Sequence, residues 1–393
     1  MIKKHGGRAH ALLAASKSDR WINCTPSARL EDDIPDDPQT AYAAEGELAH
    51  ELGQIMLEHD VLGTMTDADY DNNFERIVNH PSFNEEMLDE VPKYVDFCEE
   101  EFTRLKVETP DATMLVEEEV DFHRFVPEGF GTDDCIIIAN GTMYVIDLKY
   151  GKGVLVSADN NSQLKLYGIG ALEKFGLMYD VHKVVLVIAQ PRRDNFSTYE
   201  ISIPDLYDWA ENVLVERAQI AWKGEGEQVP GDWCKFCKVK AQCRALANER
   251  LKATKYDFTE PYLLADEEIA EMLGTSKLIK EWLNGLESYA LKAALTGKTW
   301  PGYKLVAGQS RRKWVDEDKV IGRLLAEPDL SEEDIYKQKL NGITIIEKKI
   351  GKKRFAEVLK GLVIKPEGAP TLVELEDKRP EFGIGQAETD FSD

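Results

Sequence analysis

Apolar residues recur three and four apart over residues 41–59 and again over 84–107, the spacing that lines one face of a helix. The pattern then changes. Residues 114–122 alternate like a half-buried strand, and 134–138 and 142–149 are β-rich runs joined at Ala139, Asn140 and Gly141. An Asn-Gly pair between two such runs predicts a tight hairpin. Residues 160–175 return to helical spacing, and residues 183–190 are apolar almost throughout, which suits a strand covered on both faces. A short strand over 198–203 follows, and Pro204 opens a helix running to about residue 222. Helix, three strands, helix, strand predicts an α/β fold with a mixed central sheet flanked by helices.

The flanks read differently. Residues 8–23 suit a helix with Trp21 and Ile22 just before Cys24, and a loop rich in Pro, Asp and Thr runs on to about residue 40. Residues 266–296 predict one or two helices, followed by a basic, Gly-containing segment and shorter helical pieces over 316–362. From Pro366 onward the chain is rich in Pro, Glu and Gly, a composition that does not bury enough apolar surface to fold. Three segments are expected: an α/β domain over 1–255, a mainly helical extension over 256–365, and a disordered acidic tail over 366–393. No internal repeat is visible.

Charge narrows the function classes. The chain has 393 residues, with 48 Lys and Arg against 72 Asp and Glu, a formal net charge of −24. Such a chain does not coat nucleic acid through bulk attraction, which needs clustered cations. Basic residues gather locally at Lys149 and Lys152, Arg192 and Arg193, 235–244, 311–313 and 348–354, so a local groove remains open. No apolar run reaches the roughly 18 residues of a membrane span. The basic start, Met1 to Arg8, leads into too short an apolar stretch for a signal peptide, and a cytoplasmic protein is expected. Six cysteines are too few for a disulfide scaffold. Cys98 and Cys135 sit in apolar runs and read as buried packing residues.

The candidate chemistry begins at the hairpin. Asp134 starts one strand and Asp147 nearly ends its partner, so both carboxylates stand at its open end. Two carboxylates brought together repel unless a cation sits between them, which favours Mg²⁺ or Mn²⁺. Lys149, two residues on, shares a strand face with Asp147 and can orient attacking water or stabilise developing phosphorane charge. Taken alone, an Asp-x-Lys triplet also fits a strand-end ion pair. Its setting adds more: Gly131-Thr-Asp-Asp134, the hairpin, Asp147-Leu-Lys149, then a helix with Gln163 and Tyr167 on one face. This order resembles the PD-(D/E)XK nuclease superfamily, and the Q-x-x-x-Y spacing resembles its RecB-like branch. The resemblance covers residues 10–250 and extends to His50, on an early helix after Glu45 and Gly46. It implies metal ligation by His50, Asp134, Asp147 and the Leu148 carbonyl, and contact of Gln163 and Tyr167 with the nucleic acid strand. Asp133 is the rival to Asp134, which fits the family's Gly-Thr-x-Asp spacing.

Cys234, Cys237 and Cys243 form a C-x2-C-x5-C cluster with no fourth cysteine or histidine nearby. Three such thiols also fit most of a zinc site. Cys24 lies more than two hundred residues upstream. One cysteine before the nuclease core and three after it resembles the iron–sulfur RecB-like nucleases, such as AddB and CRISPR-associated members. That resemblance implies a [4Fe–4S] cluster on four thiolates, closing the domain like a long-loop crosslink. Beyond residue 250 the chain resembles only the C-terminal extension of phage-encoded RecB-like proteins, which implies a phage or prophage origin and action on DNA during replication or recombination. The expected activity is that of a metal-dependent deoxyribonuclease, an exonuclease by preference. The strongly acidic charge keeps open a non-catalytic DNA-binding or recombination-accessory protein on the same fold. The acidic residues around Phe391 suit either a solubilising terminus or a tail recruiting a phage single-strand-binding or recombination partner.

Overall fold

A computed structural model of the chain describes residues 11–35, 40–252, 266–304 and 354. Helices α1 (Ser18–Asn23), α2 (Ser27–Asp32), α3 (Ala41–Met56), α4 (Asp67–Val78) and α5 (Glu86–Glu108) come first. Strands β1 (Thr113–Asp121), β2 (Phe130–Ala139) and β3 (Thr142–Leu148) follow, then α6 (Ser162–Tyr179), β4 (Lys183–Gln190) and β5 (Asn195–Ser202). Helices α7 (Ile203–Trp209), α8 (Val215–Lys223), α9 (Arg244–Arg250) and α10 (Asp266–Leu295) complete the described elements. The strands form one five-stranded sheet in the order β1-β2-β3-β4-β5, with β3 and β4 parallel and the other neighbours antiparallel. The mixed α/β sheet expected from the sequence is therefore present. Its one parallel step needs a crossover, and α6 provides it.

The near-uniform apolarity of β4 has a direct cause. Val184, Leu186 and Ile188 enter the core beneath α6, while Val185, Val187 and Ala189 enter a second core with Leu52 of α3 and Tyr94 and Cys98 of α5. Each Val, Leu or Ile among them contributes roughly 1.5–3 kcal/mol of burial. Cys98 and Cys135 are both fully buried in the second core. The β2–β3 hairpin turns on Asn140 and Gly141 at φ of 49° and 67°, the two left-handed residues of a type I′ turn.

Several boundaries differ from the sequence expectation. The helix expected over 8–23 is described from residue 11, where a 3-10 turn (Ala15–Lys17) precedes α1. The loop expected up to residue 40 contains α2, one and a half turns long and too short for periodicity to show. The helix over 41–59 ends at Met56 and runs into a π turn, Leu57–Val61, closed where Thr64 and Met65 both donate to the Glu58 carbonyl. A second π turn, Ala210–Leu214, divides the helix expected after Pro204. Helix α4 was not expected at all, and Ile77 is its one fully buried residue. Strands β2 and β5 start earlier than their apolar runs, at Phe130 and Asn195.

The first and last parts of the α/β region are strapped together by hydrogen bonds to backbone. Arg217 donates from Nε to the Ile22 carbonyl at 2.6 Å and from Nη2 to the Asn23 carbonyl at 3.0 Å. Arg29 reaches the Trp222 carbonyl at 2.7 Å, and Thr25 the Glu225 carbonyl at 2.7 Å. Glu31, ion-paired with buried Arg20 at 2.9 Å, accepts the Lys238 N–H at 2.8 Å. Contacts divide the chain into two compact units, 1–291 and 292–393. In the second, described residues 292–304 hold the last turn of α10 and a left-handed turn at Gly297, φ 99°. The helical pieces expected over 316–362, Arg354 apart, and the tail from 366 lie outside the described residues. No helix of the described residues is long and apolar enough to cross a membrane.

Candidate metal centre

The hairpin frames the site. Cys135 pairs with Ile146, so Asp134 and Asp147 stand at the next rung, on the open end. Helix α3 brings His50, whose Nδ1 lies 3.0 Å from Asp134 Oδ1. The second Asp134 oxygen accepts the Leu148 N–H at 2.6 Å. Leu148 thus meets the site through its N–H. It is Asp134, not its neighbour Asp133, that touches His50.

Asp147 belongs to a second, connected set. Lys149 Nζ lies 2.6 Å from its Oδ2, and Gln163 Nε2 donates to its Oδ1 at 2.9 Å. Gln163 Oε1 accepts from Lys149 Nζ at 3.2 Å, and the Gln163 amide donates to the Tyr167 hydroxyl at 3.3 Å. Asn161 caps α6 by accepting the Gln163 and Leu164 N–H groups at 3.0 and 3.2 Å, which fixes where Gln163 leaves the helix. Gln163, itself held by Tyr167, therefore holds Asp147 and Lys149. Gly131 has a steric role here: a Cβ on it would stand 2.7 Å from Tyr167 Cε1. The glycine of the first motif makes room for the tyrosine of the last.

One residue of the site escaped the sequence reading. Strand β1 pairs Val116 with Cys135 and Glu118 with Asp133, leaving Glu117 opposite Asp134. Glu117 has φ 50°, a left-handed conformation that costs a non-glycine residue about 1 kcal/mol or more. In it, a Glu117 carboxylate oxygen, a His50 ring nitrogen and an Asp134 oxygen all lie within 4.8 Å of one another. Among the described residues no other three His, Cys, Asp or Glu ligand atoms come so close. A run of three glutamates, 117–119, inside an alternating strand was the available signal.

The electrostatics describe a crowded carboxylate cluster. Burial and the charge of Asp134 push Glu117 up to about 7. Asp133, fully buried with no hydrogen-bond partner for either oxygen, is held well above the usual carboxylate range by burial and then by Asp134. Burial also raises Asp147, against the lowering effect of Lys149. For His50, burial favours the neutral ring, but the charge of Asp134 and its hydrogen bond outweigh this and raise it to about 9. Carboxylates that raise one another are stabilised by a shared cation. Two carboxylates and one imidazole form a donor set that suits a hard or borderline divalent ion.

The four cysteines also meet. Cys24, Cys234, Cys237 and Cys243 line one small cavity with Trp233 and Leu246. Burial raises the Cys24 and Cys234 thiols and pushes Cys237 up to about 12. Backbone hydrogen bonds from Val229 to Cys24, Gly231 to Cys234 and Val239 to Cys237 act in the opposite direction. No three of these sulfurs fall within the 4.8 Å spacing of the carboxylate site. A single tetrahedral zinc, with bonds of about 2.3 Å, needs sulfurs about 3.8 Å apart.

The family model described as "Protein of unknown function (DUF2800)" matches residues 10–380. Two solved structures match part of the chain at low similarity. One, the crystal structure of SSO0001, is 15% identical and is matched over 58% of this chain and 96% of that chain, with a TM-score of 0.23. The other, a candidate exonuclease from Eubacterium rectale, is 11% identical over 58% of this chain and 86% of that chain, with a TM-score of 0.34.

Proposed function

This chain belongs to the DUF2800 family, whose description carries no activity, and from its site we propose a divalent-metal-dependent nuclease of the PD-(D/E)XK type, in its RecB-like branch, that hydrolyses DNA phosphodiester bonds. The observation that carries this reading is the close set of His50, Glu117 and Asp134 beside the linked Asp147, Lys149, Gln163 and Tyr167. His50, Glu117 and Asp134 would hold Mg²⁺ or Mn²⁺, with Asp147 and the Leu148 carbonyl as the further donors the resemblance implies. A cation held there supplies Lewis acidity to a phosphate oxygen and neutralises its charge.

The chain's own residues do the rest. Lys149 is the cationic side chain of the site, held and aimed by Asp147 and Gln163, and it orients the attacking water or takes up charge developing on the phosphoryl oxygens. Gln163 fixes that lysine and is itself held by Tyr167, whose hydroxyl hydrogen is left to donate to the strand. The four thiols would carry a [4Fe–4S] cluster, a reading supported by their convergence on one cavity, and it would reinforce a closure that hydrogen bonds already make. The preference for an exonuclease acting in phage replication or recombination rests on the sequence resemblance alone.

The test is cleavage of single- and double-stranded DNA by purified protein with Mg²⁺ or Mn²⁺. Wild type cuts and loses activity in EDTA, whereas Asp134→Asn and Lys149→Met lose at least about 100-fold, the cost of removing one transition-state contact. Variants that retain their circular dichroism and still cut at the wild-type rate would sink the assignment. So would a wild type that binds DNA without cutting it under either metal, which is the accessory-protein reading.

A further inference from the structure

We propose that the loop over residues 150–161 is a preformed apolar shelf, and that Val154 and Leu155 at its tip receive the nucleobase adjoining the phosphate that is cut. This rests on the nuclease reading above and adds a recognition element to it.

Both ends of the loop lie at the site. It leaves from Lys149 and returns at Gln163, and those two side chains are themselves hydrogen-bonded at 3.2 Å. It contains no helix or strand, yet its backbone is held at many points. Gln190, 1% exposed at the end of β4, donates from Nε2 to the carbonyls of Gly151 and Val154 at 2.7 and 2.8 Å. Its Oε1 accepts the Val156 N–H at 3.3 Å. Asn195 donates to the Val156 carbonyl at 2.8 Å, Ser197 Oγ accepts the Ala158 N–H at 3.0 Å, and Arg193 reaches the Lys152 carbonyl at 2.8 Å. Ala158 is fully buried in the core beneath α6.

The tip between these anchors stays open: Val154 is 42% and Leu155 53% exposed. A loop tied down this thoroughly does not need two adjacent aliphatic side chains facing water, and loops held on a rigid frame are where recognition concentrates. The chemistry that suits them is the apolar face of an unstacked base, against which aliphatic wedges such as leucine insert. The charge near the tip favours the same occupant. Lys152 is ion-paired with Glu86, and Arg192 with Glu45 and Glu86, and Arg193 is turned onto the Lys152 carbonyl, so the tip itself offers apolar surface.

The experiment uses the full chain and a set of single-stranded oligonucleotides, each with one abasic nucleotide near an end. For wild type, one abasic position should lower kcat/KM roughly ten-fold, the factor matching about 1.4 kcal/mol of lost apolar contact. Leu155→Ser, an exposed substitution, should lower kcat/KM on the intact strand by a similar factor and be indifferent to that abasic position. Additive losses, or normal cutting of the intact strand by Leu155→Ser, overturn the shelf while leaving the nuclease reading intact. If wild type does not cut, the same cycle is read from oligonucleotide binding by fluorescence anisotropy in Ca²⁺. The nuclease reading then fails, and non-additive binding losses still support the shelf. Absence of binding overturns both.

Discussion

Glu117 offers a test in which stability and metal binding change in opposite directions. Its carboxyl sits opposite Asp134, and burial together with that neighbour's charge raises it from 4.5 to about 7. The sign follows from linkage. A carboxylate with a raised folded pKa disfavours the fold as pH climbs from the unfolded value through the folded one, and the penalty is complete above about 7. Each unit corresponds to about 1.4 kcal/mol, so the ceiling is about 3 kcal/mol, and solvent screening of a half-buried group leaves about 1–2 kcal/mol. Glu117→Gln keeps the shape and removes the charge. In EDTA at pH 8 the variant should therefore melt about 2–8 °C above wild type, while near pH 4 the two should nearly coincide. Saturating Mn²⁺ should reverse the order, because wild type gains more from the ion than a variant missing one ligand. Scanning calorimetry at the two pH values, with and without Mn²⁺, reads all four conditions. Equal melting of the EDTA-treated proteins at pH 8 would refute the electrostatic argument. Equal stabilisation of both by Mn²⁺ would remove Glu117 from the ligand set.

Gly131→Ala should lower stability by about 1–3 kcal/mol through overpacking against the Tyr167 ring, and most of that loss should vanish in a Tyr167→Leu background, as a thermal double-mutant cycle would show. Cys24→Ser should abolish iron binding and any broad visible absorbance of anaerobically purified protein. It should leave the far-ultraviolet circular dichroism nearly unchanged, since Arg217, Arg29 and Thr25 still strap the same segments; a bulk loss of helix would assign the closure to the thiols instead. DNA affinity in Ca²⁺ should fall less than about ten-fold between 50 and 200 mM salt, the dependence of about two phosphate contacts. A fall of a thousand-fold would mean an extended basic track.

How much of this could be read from the sequence depended on whether register could be counted. Asn140 and Gly141 form a two-residue turn, so counting outward puts Asp134 across from Asp147, and the period of two puts Lys149 beside it. The β1–β2 connection permits no such count. Between Asp121 and Phe130 the chain folds through a compact turn in which Phe125 and Val126 both donate to the Phe122 carbonyl and Phe122 donates to Gly129. The placement of Glu117 opposite Asp134 is set by that turn and by a left-handed backbone at a glutamate, neither of which a residue pattern encodes. Helices α2 and α4 escaped for a related reason. The first is held by Arg29 on the Trp222 carbonyl and by Glu31 on Arg20, the second by a thin stripe around Ile77. Cys24 was grouped with Cys234, Cys237 and Cys243 by the resemblance alone: the bonds that fasten its segment to the later one end largely on main-chain carbonyls, which no residue pattern displays.

The charge of −24 then acquires a local meaning. Around the site three basic side chains already have acidic partners: Arg192 in Glu45 and Glu86, Lys152 in Glu86, and Lys149 in Asp147. The carboxyls of Glu117, Asp133 and Asp147 are instead pushed upward by burial and by the charge of Asp134. A polyanionic strand approaching this surface finds little net positive charge until a cation shared by His50, Glu117 and Asp134 supplies it. On this reading the metal is required for productive binding as well as for hydrolysis. Acidity, which first argued against a nucleic-acid partner, becomes the means by which contact with the strand is confined to the site.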